Sequence, residues 1–156
     1  MKKIIYLLLF ILSTSAFSQG SFKAQIELSP VGSFEIKGKR VKGHITKAGS
    51  SYTADKISIS VKSLKSGIDL RDEHMLKRFT SKKIIVTEAK GSSGKGECYI
   101  EINGIKKKTP FTFKDSGSKA LIQLSIKLSD FKFKKLKYLG VKVQDMVKIK
   151  AKVNIL

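Results

Sequence analysis

Cysteine, histidine and acidic residues are all scarce in this chain. Cys98 is the only cysteine, so no disulfide can form within the chain and stability has to come from an apolar core. The only histidines, His44 and His74, occur without CxxC or HxxxH spacing and support a metal site weakly. The chain has 12 Asp and Glu residues and no G-x-S-x-G elbow, and no pair of acids stands out for glycoside chemistry. We therefore expect no metal, no cofactor and no catalytic residues.

Long apolar runs are also missing, apart from one near the N-terminus. A basic pair precedes the apolar residues 4–12, and Ala16-Phe17-Ser18 fits a cleavage site. This pattern predicts a cleaved signal peptide over residues 1–18 and a single domain over residues 19–156. No cysteine follows the run and no later segment is apolar enough to span a membrane. We expect a periplasmic or secreted protein that is soluble after cleavage and has no lipid anchor.

Positive charge is abundant: 32 Lys and Arg against 12 Asp and Glu give a formal net charge of +20. Such an excess often indicates nucleic-acid binding. An exported protein rarely meets nucleic acid, and these lysines alternate with apolar residues instead of clustering with exposed aromatic residues. We therefore predict no nucleic-acid partner. Two interpretations stay open: a solvated outer face, or attraction to an anionic membrane surface, lipopolysaccharide or a diphosphate.

Alternation of apolar and polar residues dominates the rest of the chain. It is clearest over residues 22–28, 57–61, 98–102, 122–128 and 147–155. Cys98 begins one of these runs, which favours a small buried side chain over a nucleophile. About eight such strands predict an all-β, mainly antiparallel sheet closed into a barrel. The pattern leaves open whether side chains fill the barrel or an elongated apolar ligand occupies it.

One short helix, near residues 69–79, is predicted to interrupt the strands. Ser66-Gly67 ends the preceding strand and Asp69 is positioned to cap the helix, with Asp72 at its third position. Met75 and Phe79 are four residues apart and share a face. The helix is either a plug over one end of the sheet or the border of a ligand site, where Met75 and Phe79 would form a gate.

Three motifs resemble the YceI-like family, bacterial polyisoprenoid-binding proteins with a lipocalin-like barrel. The strongest comprises Ser63-Leu64-Lys65-Ser66-Gly67, then Arg71-Asp72-Glu73-His74-Met75, then Phe79. A weaker match runs from Ile102-Asn103-Gly104, where Asn-Gly also predicts a hairpin turn, to the strand that contains Phe111 and Phe113. The third is Leu128-Ser129-Asp130-Phe131. The start of the chain is more compressed, and the chain more basic, than is usual in that family.

The resemblance implies a binding protein whose barrel holds an apolar lipid, such as an isoprenoid, a quinone or a fatty acyl chain. Candidate ligand-lining residues are Ile57, Ile59, Val61, Met75, Phe79, Ile100, Phe111, Phe113, Ile122, Leu124, Ile126 and Phe131. Arg71 and His74 either meet a headgroup at the mouth or tie the helix to its neighbours. The alternative function is a basic, envelope-associated module with a packed barrel that binds anionic lipid or lipopolysaccharide surfaces. The oligomeric state stays open, a homodimer included.

Overall fold

The computed structural model describes residues 19–134, 136–138 and 140–156. The predicted signal peptide lies outside these residues. In chain order the elements are β1 (Gly20–Ser29), β2 (Ser33–Val41), β3 (Thr46–Ala48), β4 (Ser51–Ser60), β5 (Leu64–Lys65), α1 (Asp69–Leu76), β6 (Lys83–Ser92), β7 (Lys95–Ile102), β8 (Ile105–Asp115), β9 (Lys119–Lys127), β10 (Lys137–Tyr138), β11 (Val141–Val143) and β12 (Met146–Asn154). Short 3₁₀ turns cover Val61–Ser63 and Leu128–Phe131. Within the described ranges, no helix is long and apolar enough to cross a membrane.

The strands form one curled antiparallel sheet in the order β10-β11-β1-β12-β9-β8-β7-β6-β4-β3, with β2 paired to β1 and β5. Eight of them are long: β1, β2, β4, β6, β7, β8, β9 and β12. The sheet forms a half-barrel, and β2 reaches β4 through one bridge between Lys42 and Ser58, whose backbone N–H groups each donate to the other's carbonyl at 2.8 and 2.9 Å. This confirms the predicted all-β, lipocalin-like fold with one short helix.

The two ends of the barrel differ in what they carry. Because neighbouring strands are antiparallel, the β1–β2 turn, the β7–β8 turn, α1 and the start of β12 all lie at one end, which we call the helix end. The β6–β7 turn, the β8–β9 turn and the C-terminal Leu156 lie at the other, which we call the far end.

The predicted alternation between an inner and an outer face is confirmed. On β7, Cys98, Ile100 and Ile102 are buried to within 2–3% exposure. On β12, Val147 and Val153 are 2% exposed, whereas the three lysines at positions 148, 150 and 152 are exposed. Burying each aliphatic side chain of this size stabilises the fold by roughly 1.5–3 kcal/mol.

The helix α1 departs from the prediction in its length and in its cap. It ends at Leu76, because the N–H groups of Arg78 and Phe79 donate to carbonyls three residues back and tighten the chain into a turn. Ile68 occupies the N-cap position without a side-chain hydrogen bond, so the predicted Asp69 cap is wrong. The helix is held by Asp72 instead.

Asp72 is 3% exposed and ties α1 to the end of β5. Its carboxylate accepts hydrogen bonds from the Ser66 N–H at 2.7 Å and the Ser66 hydroxyl at 2.6 Å, and it lies 3.6 Å from the Lys65 ammonium. Burial by itself would raise the pKa of Asp72, but these partners hold it below the usual value. A charged Asp72 therefore fixes the start of the helix, as a structural residue would.

Candidate functional site

The inner face of the half-barrel encloses an elongated apolar cavity, which we call the inner cavity. The space open to the centre of a water-sized sphere is about 160 Å³. Its lining runs from Tyr52 and Phe113 toward the far end to Phe79, Leu128 and Phe133 at the helix end. Along β9 and the turn after it, lining residues extend from Ile122 to Leu128, roughly 20 Å of strand. A cavity of this composition excludes water and suits an apolar chain.

A second pocket adjoins the inner cavity at the helix end. It measures about 150 Å³ by the same definition and contains Arg71, His74, Arg78 and Lys137 among its lining residues. None of the described residues that line it is acidic. We call it the cationic pocket. The two spaces share five lining residues, namely Ile26, Ile36, Phe79, Leu128 and Phe133.

An aromatic pair stands between the two spaces. The rings of Phe79 and Phe133 meet edge to face, with centroids 5.1 Å apart and planes at 80°. Such a pair contributes roughly 0.5–1.5 kcal/mol beyond its burial. The boundary between inner cavity and cationic pocket is therefore made of side chains and not of backbone.

Arg71 is held on the wall of the cationic pocket by stacking. Its guanidinium carbon lies 4.1 Å from the centre of the Phe34 ring, a cation–π contact. Arg71 is half-buried, and His74, one turn further along α1, is exposed on the same pocket. The planar guanidinium is suited to bidentate recognition of phosphate or carboxylate oxygens.

The Asn103 side chain supports the backbone segments that carry the rings of Phe79 and Phe133. Its side-chain oxygen accepts from the Thr80 N–H at 2.8 Å, and its amide nitrogen donates to the Phe131 carbonyl at 3.0 Å. These partners adjoin the segments that carry Phe79 and Phe133. Asn103 is 6% exposed and adopts φ 53°, which the predicted Asn-Gly turn between β7 and β8 requires. The sequence predicted the turn, but no local signal indicated the contacts.

The far end is held together by polar contacts. The Asp115 carboxylate accepts from the Lys47 ammonium and from the Tyr52 hydroxyl, each at 2.7 Å. These hydrogen bonds, Lys47 first, lower the pKa of Asp115 to about 2. Tyr52 also packs edge to face on Phe113, with centroids 4.8 Å apart.

Two glycines leave room for phenylalanine rings at the far end. Gly91 on β6 lies directly opposite Gly96 on β7. A Cβ atom on Gly91 would lie 2.8 Å from the ring of Phe113, and one on Gly96 would run into the ring of Phe111. The glycines therefore let both rings approach the strands closely.

Most of the candidate ligand-lining residues are brought together by the fold. Those that line the inner cavity are Ile57, Ile59, Phe79, Ile100, Phe111, Phe113, Ile122, Leu124 and Ile126. Met75 lines the cationic pocket together with Arg71 and His74. Val61 and Phe131 are buried at 4% and 1% exposure but line neither space. Contact with a ligand remains a prediction for all of them.

Sequence reasoning missed several lining residues. The alternation of β1 and β12 was recognised without placing either strand at the site, although both contribute inner-face residues, namely Phe22, Ala24, Ile26, Val147, Ile149, Ala151 and Val153. Phe133 was missed because Lys132 adopts φ 62° after the 3₁₀ turn. The 3₁₀ turn and this left-handed residue leave no alternation that would mark the cavity side. Phe131 and Phe133 are both buried, at 1% and 9% exposure, but of the two only Phe133 lines the cavity.

Cys98 lines the inner cavity, and its thiol is in an environment that makes it unreactive. It is 3% exposed, and burial raises its thiol pKa to about 11. Since the thiolate is the reactive form, the side chain behaves as a small hydrophobic residue near neutral pH. Across the described residues, no group of three or more His, Cys, Asp or Glu side chains is arranged to hold a metal ion.

Comparison with known proteins gives a family and two structural neighbours. BcnA from Burkholderia cenocepacia superposes with a TM-score of 0.65 at 17% identity, covering 86% of this chain and 95% of that one. A polyisoprenoid-binding domain from Saccharophagus degradans, implicated in plant cell wall breakdown, gives 0.61 at 13% identity, with 86% and 92% covered. No curated protein matches. The model of the YceI-like domain matches residues 14–155, and the chain therefore belongs to the YceI-like domain family.

Proposed function

We propose that this chain is an exported lipid-binding protein, a periplasmic or secreted carrier or scavenger. It holds the tail of an isoprenoid, quinone or fatty acyl lipid in the inner cavity and the headgroup in the cationic pocket. The observation that carries this proposal is the junction of an apolar cavity with a cationic pocket across one aromatic pair. The structural neighbour described as a polyisoprenoid-binding domain supports it.

Tail and headgroup contribute in different ways. Removing apolar surface from water yields roughly 25 cal/mol per Å², so about 200 Å² of buried tail contributes about 5 kcal/mol. Burial of the lipid tail therefore provides most of the affinity, but it distinguishes poorly between lipids with different tails. The cations of the second pocket favour an anionic headgroup, such as a polyprenyl phosphate or a fatty acid carboxylate.

The alternative of a packed barrel has less support. It requires a filled interior, whereas the inner cavity is continuous over much of the barrel. Catalysis also has little support, because Cys98 is buried with a raised pKa and Asp72 is held by Ser66. We therefore propose binding without chemical conversion.

The first test is whether the protein carries lipid. Protein purified from cells is expected to yield an extractable lipid, and delipidated protein is expected to bind one prenyl or acyl chain by native mass spectrometry. The absence of any mass shift with isoprenoids, quinones and fatty acids would contradict the proposal.

A substitution at Arg71 tests the assignment of the headgroup. Arg71→Ala is expected to weaken binding of a prenyl diphosphate by about 10- to 100-fold, since charge-assisted hydrogen bonds contribute roughly 1.5–3 kcal/mol. Binding of the uncharged prenyl alcohol should change little. Lys152→Ala, which removes an exposed cation from the outer face, is the matched control. Equal losses for both ligands in Arg71→Ala would show that Arg71 is purely structural. Calorimetric titration measures both affinities.

A further inference from the structure

Exposed apolar side chains are concentrated at the helix end. In the part of the chain that the structure describes, five large apolar residues are exposed: Val31 at 85%, Leu156 at 61%, Leu70 at 52%, Ile68 at 45% and Met146 at 45%. Leu156 lies at the far end, and the other four lie at the helix end. A soluble surface has no need to gather such side chains at one place, and grouping of this kind marks an interaction site.

The cationic pocket lies at the same end, and residues close in sequence to the exposed apolar ones line it. Leu70 precedes Arg71 on α1, and Val31 lies three residues before Phe34, on whose ring Arg71 stacks. Since β5 runs antiparallel to β2, the chain leading to Ile68 heads toward the β1–β2 turn that carries Val31. The exposed apolar residues and the cationic pocket therefore share one end of the barrel.

Positive charge occupies the same end. Beyond the cations of the pocket, Lys132 and Lys134 are exposed after the second 3₁₀ turn, and Lys142 is exposed on β11. Of the acids at this end, Glu73 pairs with Lys77 at 2.6 Å and Asp145 accepts from the Ser129 hydroxyl at 2.6 Å. Asp69 and Asp130 are exposed there too, but they are fewer than the exposed cations. Exposed cations beside exposed apolar side chains are typical of a surface that lies in the headgroup region of an anionic bilayer.

We propose that the helix end docks on an anionic phospholipid bilayer. Val31, Ile68 and Leu70 enter the interface, and the lysines and arginines contact headgroups, so the cationic pocket opens onto the lipid layer. Its use in lipid transfer rests on the proposed function, but the docking itself needs no ligand in the cavity. A soluble anionic polysaccharide would meet the same charges without contacting the apolar side chains, so the apolar residues favour a bilayer.

The absence of tryptophan from the chain provides a clean reporter. Val31→Trp places the only indole at the helix end, and Leu156→Trp places it at the far end. We expect phosphatidylcholine vesicles containing phosphatidylglycerol to shift the fluorescence of Val31→Trp to shorter wavelength. Leu156→Trp should not shift, and vesicles of phosphatidylcholine alone should give a weaker response. A shift in Leu156→Trp alone, or in neither variant, would overturn the proposal.

Substitutions to serine test how much the exposed apolar side chains contribute to the free energy of vesicle binding. The triple variant Val31→Ser, Ile68→Ser and Leu70→Ser is expected to partition onto the anionic vesicles at least about tenfold more weakly than the parent. The matched control is Leu156→Ser, which should bind like the parent. Thermal unfolding of each variant checks the fold, and the tryptophan variants give the answer independently if the triple variant does not fold.

Two measurements on the same protein separate docking on a bilayer from binding of a lipid in the inner cavity. Delipidated protein is used for vesicle binding, and native mass spectrometry with a prenyl alcohol is run on the same samples. A protein that binds the prenyl chain but ignores vesicles overturns docking and leaves the proposed function standing. A protein that binds vesicles but no prenyl chain supports docking and overturns the proposed function. Undiminished vesicle binding by the triple variant, together with binding to heparin, would identify a general polyanion surface and overturn the bilayer proposal.

Discussion

The helix end and the far end close the barrel by different means. At the far end the chain closes on itself through backbone hydrogen bonds, since the Ile45 N–H donates to the Asn154 carbonyl at 2.8 Å and the Leu156 N–H donates to the Ile45 carbonyl at 2.8 Å. At the helix end the inner cavity and the cationic pocket meet at side chains, among them the edge-to-face rings of Phe79 and Phe133. Side chains change rotamer far faster than strands separate. Under the proposed function, we therefore expect a lipid tail to enter and leave at the helix end.

The largest expected effect comes from loosening the helix end. Asn103→Ala removes hydrogen bonds to the backbone at Thr80 and Phe131 and places alanine at φ 53°. We expect a loss of roughly 2–4 kcal/mol in the free energy of unfolding, because buried backbone groups lose their partners. Urea denaturation measures it. Asn154→Ala, near the far end, is the control and should cost under about 1 kcal/mol. Similar losses in both variants would mean that Asn103 is not a special support of the helix end.

A bulky side chain placed in the inner cavity tests how far a lipid tail reaches from the helix end toward the far end. Leu124 faces the inner cavity, and Leu121 lies on the outer face of the same strand. Leu124→Trp is expected to weaken binding of long prenyl alcohols at least about tenfold while sparing short ones, because the indole occupies space that the far part of the tail needs. Leu121→Trp should leave binding unchanged. Titration with prenyl alcohols of increasing length measures this. Equal affinity for all lengths in Leu124→Trp would show that the tail does not reach past this point.

The smallest expected effect concerns the polar contacts of the far end. The pKa of Asp115 is lowered from 3.8 to about 2, so its contribution to stability is fully present above about pH 4 and is lost as the pH falls through 2. Asp115→Asn should lower the melting temperature slightly at pH 7, and the gap to the parent should vanish near pH 2. The effect is small because Asp115 and Lys47 are partly exposed. Asp55→Asn, on the exposed face of β4, is the control. A gap that stays constant from pH 7 to pH 2 would contradict the assignment.

The strands and the inner face were predictable from the sequence because their information is local. Alternation at Cys98, Ile100 and Ile102 depends only on which side of a sheet each residue faces, and burial confirms it. The family motif around Arg71 and His74 likewise located the helix end. The same local information therefore placed the cationic residues at one end before the pocket was known.

The missed features depend on contacts between distant segments or on single backbone angles. Asn103 contacts residues 23 and 28 positions away, which no periodicity encodes. The 3₁₀ turn and the left-handed Lys132 interrupt the strand pattern, so no alternation marks Phe133 as a cavity residue. The prediction that Asp69 caps the helix was wrong, because the start of the helix is fixed by hydrogen bonds from Ser66 to the buried Asp72 carboxylate.

The glycines at positions 91 and 96 have a consequence for ligand size. Lacking side chains, they allow the rings of Phe111 and Phe113 to rest against the strands. A methyl group on Gly91 would have to displace the ring of Phe113, and one on Gly96 would meet the Lys90 carbonyl as well as the ring of Phe111. Both rings line the inner cavity, so a displaced ring changes the space available there. Under the proposed function, residue volume at position 91 is therefore expected to limit the length of the bound tail, so a larger residue there should favour shorter chains without touching the headgroup site.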